Sequence, residues 1–120
     1  MKLLITSVGE SLDSEVDPRF GRARCMILYD TDSGEHKVLG NEQNLHAMQG
    51  AGVQAGQSVV TSGAEAVLTG NCGPKAFAVL SSAGIKIYSG ATGTVRQAIE
   101  DFKAGKYQPS SDANVTGHWV

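Results

Sequence analysis

Ala64-Glu65-Ala66-Val67-Leu68-Thr69-Gly70-Asn71-Cys72-Gly73-Pro74 is an apolar run that ends in a glycine turn and reaches a proline where a helical pattern begins. Ala64 to Thr69 reads as a buried strand, and Ala76, Val79 and Leu80 supply the apolar side of the helix that follows. Proline suits the first helical turn, where its φ is already correct and the missing N–H would have been unpaired. Strand, glycine turn and helix N-terminus in that order aim unpaired N–H groups and the positive helix end at one point. The junction therefore suits an anion, and the helix end would favour the thiolate of Cys72 beside it.

On either side of this junction the chain alternates. Lys2 to Ser7 holds Leu3, Leu4 and Ile5, dense enough for a strand covered on both faces. Val8 to Phe20 is polar, with Gly9, Asp13, Asp17 and Pro18, and reads as a long excursion. Met26 to Tyr29 and His36 to Gly40 read as a hairpin across the turn residues Asp32-Ser33-Gly34-Glu35. A polar connection, Asn41 to Gln49, leads into a glycine-rich helical stretch from Gly50 to Ser62, which Gly63 stops. Beyond Pro74 a helix to about Ala83, a strand Ile85 to Tyr88 and a helix Thr94 to Lys103 complete the order βββαβαβα, with Thr94 as N-cap. This order predicts one α/β domain, residues 1–106, with a mixed five-stranded sheet and helices packed on it. Residues 107–120, rich in Ser, Asp, Asn and Gly, read as a loose tail in which Trp119 can dock on a groove or partner. Parallel crossovers set the ends of strands one and four side by side, so Val8 to Phe20 and Gly70 to Pro74 meet at the carboxyl edge of the sheet, where ligands of open α/β sheets bind.

With 120 residues the chain buries roughly two-thirds of its unfolded surface, enough for a core without staples. A net charge of −2 gives no basic field for nucleic acid, and no stretch approaches the ~20 apolar residues of a membrane span. The start of the chain lacks the pattern of a signal peptide, so a cytoplasmic location is expected. Two cysteines match no CxxC spacing, and Cys25 in its strand reads as a small core residue. Three of the four arginines fall in Asp17-Pro18-Arg19-Phe20-Gly21-Arg22-Ala23-Arg24. Arg19 and Arg22 can surround an anion with their forked donors, Arg24 can point off a strand, and Phe20 reads as an anchor beneath the loop. We expect this loop and the Gly70 to Pro74 turn to face a common pocket for a compact anion. Direct ligation of a soft or borderline metal would fall to Cys72, His46 or Met48, whereas His36 and His118 carry little signal. A nuclease would need grouped carboxylates around magnesium, but Asp30 and Asp32 end strand two and neither strand one nor strand four carries an acidic residue at its end. No GxxxxGK[ST] loop, serine elbow or GxGxxG follows a strand. A phosphate- or nucleotide-sensing or partner-binding module stays open, since a helix N-terminus with arginines holds phosphate equally well.

Asp17 to Ala23, the Gly50-Ala51-Gly52 helix entry, the Gly70 to Pro74 turn and the closing Thr94 to Phe102 helix, in that order from Met1 to about Tyr107, resemble the dinitrogenase iron-molybdenum cofactor biosynthesis family. The resemblance implies a ribonuclease H-like fold and a non-catalytic binding or carrier protein. Its cargo would be an anionic metal-sulfur cluster, either a molybdenum-copper sulfide, as in the stand-alone, orange-protein-like members, or an iron-molybdenum cofactor precursor. Such cargo is held without covalent attachment and exchanged with donor and acceptor proteins by a monomer or weak dimer. The implied contacts are Arg19, Phe20, Arg22, His46, Gly70, Asn71, Cys72, Gly73 and Pro74, with Cys72 or His46 toward metal.

Overall fold

The computed structural model of the protein describes residues 1–41 and 50–111. Its sheet comprises β1 (Lys2–Ser7), β2 (Cys25–Asp30), β3 (His36–Gly40), β4 (Ala66–Leu68) and β5 (Lys86–Tyr88) in the order β3-β2-β1-β4-β5. The first three strands are antiparallel, while β4 and β5 run parallel to β1 and to each other. Helices α1 (Ala51–Ser62), α2 (Pro74–Ser82) and α3 (Val95–Lys103) connect or follow the later strands. This is the mixed α/β sheet expected from the sequence, with the same element order.

Alternation along β1 explains the layers. Leu4 points into a cluster with Phe20, Met26, Val59, Val67 and Leu80, under α1 and α2. Leu3 and Ile5 point the other way, onto Val95, Ala98 and Ile99 of α3. Both faces of β1 are thus covered, which accounts for its unbroken apolar run. The cap of α3 is the expected one: the Thr94 hydroxyl accepts from the Gln97 N–H at 3.1 Å.

Two regions are more ordered than composition alone conveys. The long excursion after β1 is tied down, because Ser7 bridges Val16 and Glu15 bridges Thr94. The carbonyls of Ser14 and Leu12 also accept from the Val95 and Arg96 N–H groups, both at 2.8 Å, so this excursion helps cap α3. The segment beyond residue 106 stays with the domain for several residues. Pro109 bridges Tyr88, Ser110 N–H donates to the Ile87 carbonyl at 2.7 Å, and Tyr107 packs against the α3 side of the core. Composition pointed to a tail there, but the unpaired edge of β5 provides a partner for it. The position assigned to Trp119 and His118 lies outside the described residues. No described helix is long and apolar enough to cross a membrane.

Candidate functional site

The arginine loop and the glycine turn meet. Arg19 forms a parallel bridge with Asn71, Phe20 N–H donates to the Asn71 carbonyl at 3.0 Å, and the Asn71 carboxamide donates to the Pro18 carbonyl at 3.0 Å. Gly70 permits this approach, since a Cβ there would lie 2.7 Å from Pro18 Cα and 2.9 Å from Pro18 O. From below, the Thr6 hydroxyl at the end of β1 donates to the Asp17 carbonyl at 2.7 Å and lies 2.7 Å from the Thr69 hydroxyl at the end of β4. Equivalent ends of two neighbouring parallel strands therefore bind each other and the loop above them.

On its other flank the arginine loop reaches α1. Gly21 adopts φ 95°, and a Cβ there would fall 2.8 Å from Gly52 Cα. The buried Asn41 carboxamide, just after β3, donates to the Gly21 and Ala23 carbonyls at 3.0 and 2.8 Å. The loop thus lies between the N-termini of α1 and α2. Glycines occupy both N-cap positions, Gly50 and Gly73, and bring no side-chain acceptor. The N–H groups of Ala51, Gly52 and Val53, and those of Gly73, Lys75 and Ala76, find no acceptor among the described residues. By contrast the first-turn amides of α3 are taken by Thr94, Ser14 and Leu12. First-turn N–H groups that lack a protein acceptor are open to water or to a bound anion.

The charges above this floor are cationic and mostly accessible. The Arg19 side chain is 47% exposed, and its Nε stands 3.8 Å from the Oδ1 of Asp17, whose own side chain is only 6% exposed. That same Oδ1 accepts from the Arg19 N–H at 3.0 Å. Arg22 is half-buried, and Arg24 is exposed. Arg24 lines a separate 350 Å³ cleft with Val8, Glu10 and Cys25 at the carboxyl edge of the sheet. Phe20 is fully buried, the anchor expected of it.

Cys72 departs from the thiolate expectation. Its side chain belongs to the core beneath α1 and α2, its Sγ faces the Gly73 carbonyl at 3.7 Å, and burial pushes its pKa up to about 12. Loss of water outweighs the pull of the helix end, so the resting group is a neutral thiol. Cys25 is a buried core residue, as expected. His46 and Met48, read as candidate ligands, lie outside the described residues. No group of three or more His, Cys, Asp and Glu among the described residues forms a metal-ion cluster. Asp30 sits at the opposite end of the sheet with its carboxylate accepting from the Asp32 and Ser33 N–H groups at 2.8 and 3.4 Å. Those bonds hold its pKa below the ordinary carboxylate value.

Sequence reasoning missed Thr6, Thr69, Asn41 and Asp17 as organisers of the site. The signal for Asp17 was present, because Asp before Pro favours an Asx-type turn. For the threonines, only the pairing of β1 with β4 reveals that they touch.

The chain is 37% identical to the apo orange protein of Desulfovibrio gigas, covering 95% of this chain and 96% of that one, with a TM-score of 0.92. A Thermotoga protein provisionally assigned as NifB is 39% identical, with 90% and 91% covered and a TM-score of 0.79. An uncharacterised protein of Methanocaldococcus jannaschii is 25% identical over 111 residues, 90% of this chain and 94% of its own length. Residues 1–105 match the sequence model of the dinitrogenase iron-molybdenum cofactor family, from the first strand through the helix that closes the fold, and the chain belongs to that family.

Proposed function

We propose that this protein is a non-catalytic cytoplasmic carrier that stores or delivers a preformed, anionic, molybdenum-containing metal-sulfur cluster. Either an iron-molybdenum precursor or a molybdenum-copper sulfide has the required chemistry, a compact body whose surface sulfides accept hydrogen bonds. The observation that carries the reading is the convergence of two glycine-capped helix N-termini on one arginine loop, with N–H groups at both ends that find no acceptor among the described residues. Helix N-termini and fixed amides stabilise negative charge without competing water.

In this reading the amides of Gly73, Lys75 and Ala76, with those at the start of α1, face the sulfides. Arg19 exchanges its 3.8 Å contact with Asp17 for the cargo, and Arg22 adds charge from the other side of Phe20. The buried carboxylate keeps the loop in shape while the half-exposed guanidinium is free to turn outward. Cys72 and Phe20 form the floor, and a neutral buried thiol makes retention by shape and hydrogen bonding the main mode. His46 remains a candidate for a direct metal contact.

The test is to titrate metal-free protein with tetrathiomolybdate plus copper, and separately with an iron-molybdenum cluster precursor, and then desalt. A stoichiometric visible chromophore that stays with the protein is expected. If only phosphate or a nucleotide raises thermal stability, the site belongs to a phosphate-responsive module and the carrier reading is wrong.

A further inference from the structure

We propose that Asp17 sets the affinity of the site by competing with the cargo for Arg19, a charge latch that keeps the bound anion exchangeable. The inference rests on the carrier reading of the site, and in it Asp17 acts through Arg19 rather than on the cargo itself. Among the described residues Asp17 is the one acidic side chain that is buried. It belongs to a loop whose other charges are Arg19, Arg22 and Arg24. A carboxylate in that place works against anion binding, so its charge needs a reason.

Turn geometry does not supply the reason. Asp17 opens an Asx-type turn in which its Oδ1 accepts from the Arg19 N–H at 3.0 Å. Asparagine or serine offers the same acceptor without burying a charge. The main chain is held independently of the side chain: the Asp17 N–H donates to the Thr6 carbonyl at 3.0 Å, and the Asp17 carbonyl accepts from the Thr6 hydroxyl at 2.7 Å. With the backbone pinned to β1 and the side chain tied into the turn, the carboxylate is a fixed charge.

Its partner is not fixed. Arg19 Nε lies 3.8 Å from Oδ1, too far for a hydrogen bond, and the arginine side chain is half-exposed. Arg96 shows the tighter alternative on the same molecule, where Nε donates to the Asp13 Oδ1 at 3.0 Å. The Asp17–Arg19 pair is thus a through-space attraction from which the long side chain swings without breaking a hydrogen bond. Without cargo Arg19 rests beside Asp17, and with cargo it turns to the anion. Apparent affinity scales with the fraction of molecules in the competent arrangement, so a latch that holds Arg19 for about four-fifths of the time weakens binding about fivefold. Unloading returns the arginine to a waiting partner, which suits a protein that must give its cargo up.

The test is a double-mutant cycle on the full chain, comparing the unmutated protein, Asp17→Asn, Arg19→Gln and the combination in titrations with tetrathiomolybdate plus copper. Asparagine keeps the turn acceptor and removes the charge, so Asp17→Asn should bind about fivefold more tightly, a gain that loss of a merely structural residue does not produce. In the Arg19→Gln background the same change should alter affinity by less than about twofold. In the unmutated protein, nitrogen-15 spectra should show the Arg19 Nε–H correlation shifting on loading, a readout that needs no variant. Equal or weaker binding by a folded Asp17→Asn protein, a gain that persists without Arg19, or an unmoved Arg19 Nε–H overturns the proposal. If the unmutated protein retains no thiometallate, the carrier reading fails instead, and the same cycle with inorganic phosphate decides whether Asp17 competes for Arg19. No gain in that cycle, or no binding of either anion, overturns the latch as well.

Discussion

Replacing Gly70 by alanine probes the junction on which the site is built. The new Cβ would stand 2.7 Å from Pro18 Cα, 2.9 Å from Pro18 O and 3.1 Å from Pro18 Cβ. Ordinary carbon contacts lie near 3.5–4.0 Å, so Pro18 must retreat by roughly 1 Å. Its retreat is opposed by three bonds: Phe20 N–H to Asn71, the Asn71 carboxamide to Pro18, and Thr6 to Asp17. Overpacking of this sort costs about 1–3 kcal/mol, and a hydrogen bond lost in the adjustment adds about 0.5–1.5 kcal/mol. Alanine also restricts the unfolded chain, which returns roughly 0.4–1 kcal/mol. The balance is a destabilisation of about 2–3 kcal/mol, because the close atoms are backbone and a proline ring that cannot swing aside. Urea denaturation of both forms measures it, and cluster retention should fall with it as the arginine loop moves off the turn. A variant within about 0.5 kcal/mol of the original, with unchanged retention, would refute the account of how the two loops are joined.

Other expectations follow from single contacts. Arg19→Gln should leave stability within about 0.5 kcal/mol, since the side chain is half-exposed, yet weaken cluster binding about tenfold in a chromophore titration. The Cys72 pKa is raised by burial from 9.0 to about 12, so the folded state binds the proton more tightly than the unfolded one. Its contribution is complete below pH 9 and is lost as pH rises toward 12, at up to about 1.4 kcal/mol per pH unit; Cys72→Ala should remove that part of the alkaline slope in urea melts. Thr69→Val should cost about 1 kcal/mol rather than more, because the Thr6 hydroxyl keeps the Asp17 carbonyl as a partner; differential scanning calorimetry reads this.

The order of elements was legible because each carried its own period. β1 shows a solid apolar run since both faces are covered, α3 shows a stripe with Glu100 and Asp101 outside, and Pro74 marks a helix start. The meeting of the loop after β1 with the turn after β4 was also legible, as it follows from two parallel crossovers. What could not be read was the outcome of competing forces at one atom. Cys72 stands at a helix entrance, which favours charge, but packing against Leu80 and Phe20 in the same cluster removes water and decides for the neutral thiol. Residues 107–110 look like tail by composition, and only the free edge of β5 explains why they pair. Asp17 reads as one more acidic loop residue until its side chain is found buried, holding the Arg19 N–H.

The most direct measurement follows backbone amides of nitrogen-15-labelled protein during stoichiometric loading with tetrathiomolybdate and copper. The largest shifts are expected on Gly73, Lys75 and Ala76 and on Ala51, Gly52 and Val53, with Arg19 and Arg22 moving alongside. Cargo retained while these amides stay unmoved, with shifts instead at the cleft lined by Arg24 and Cys25 or at the far end of the sheet, would contradict the proposed site.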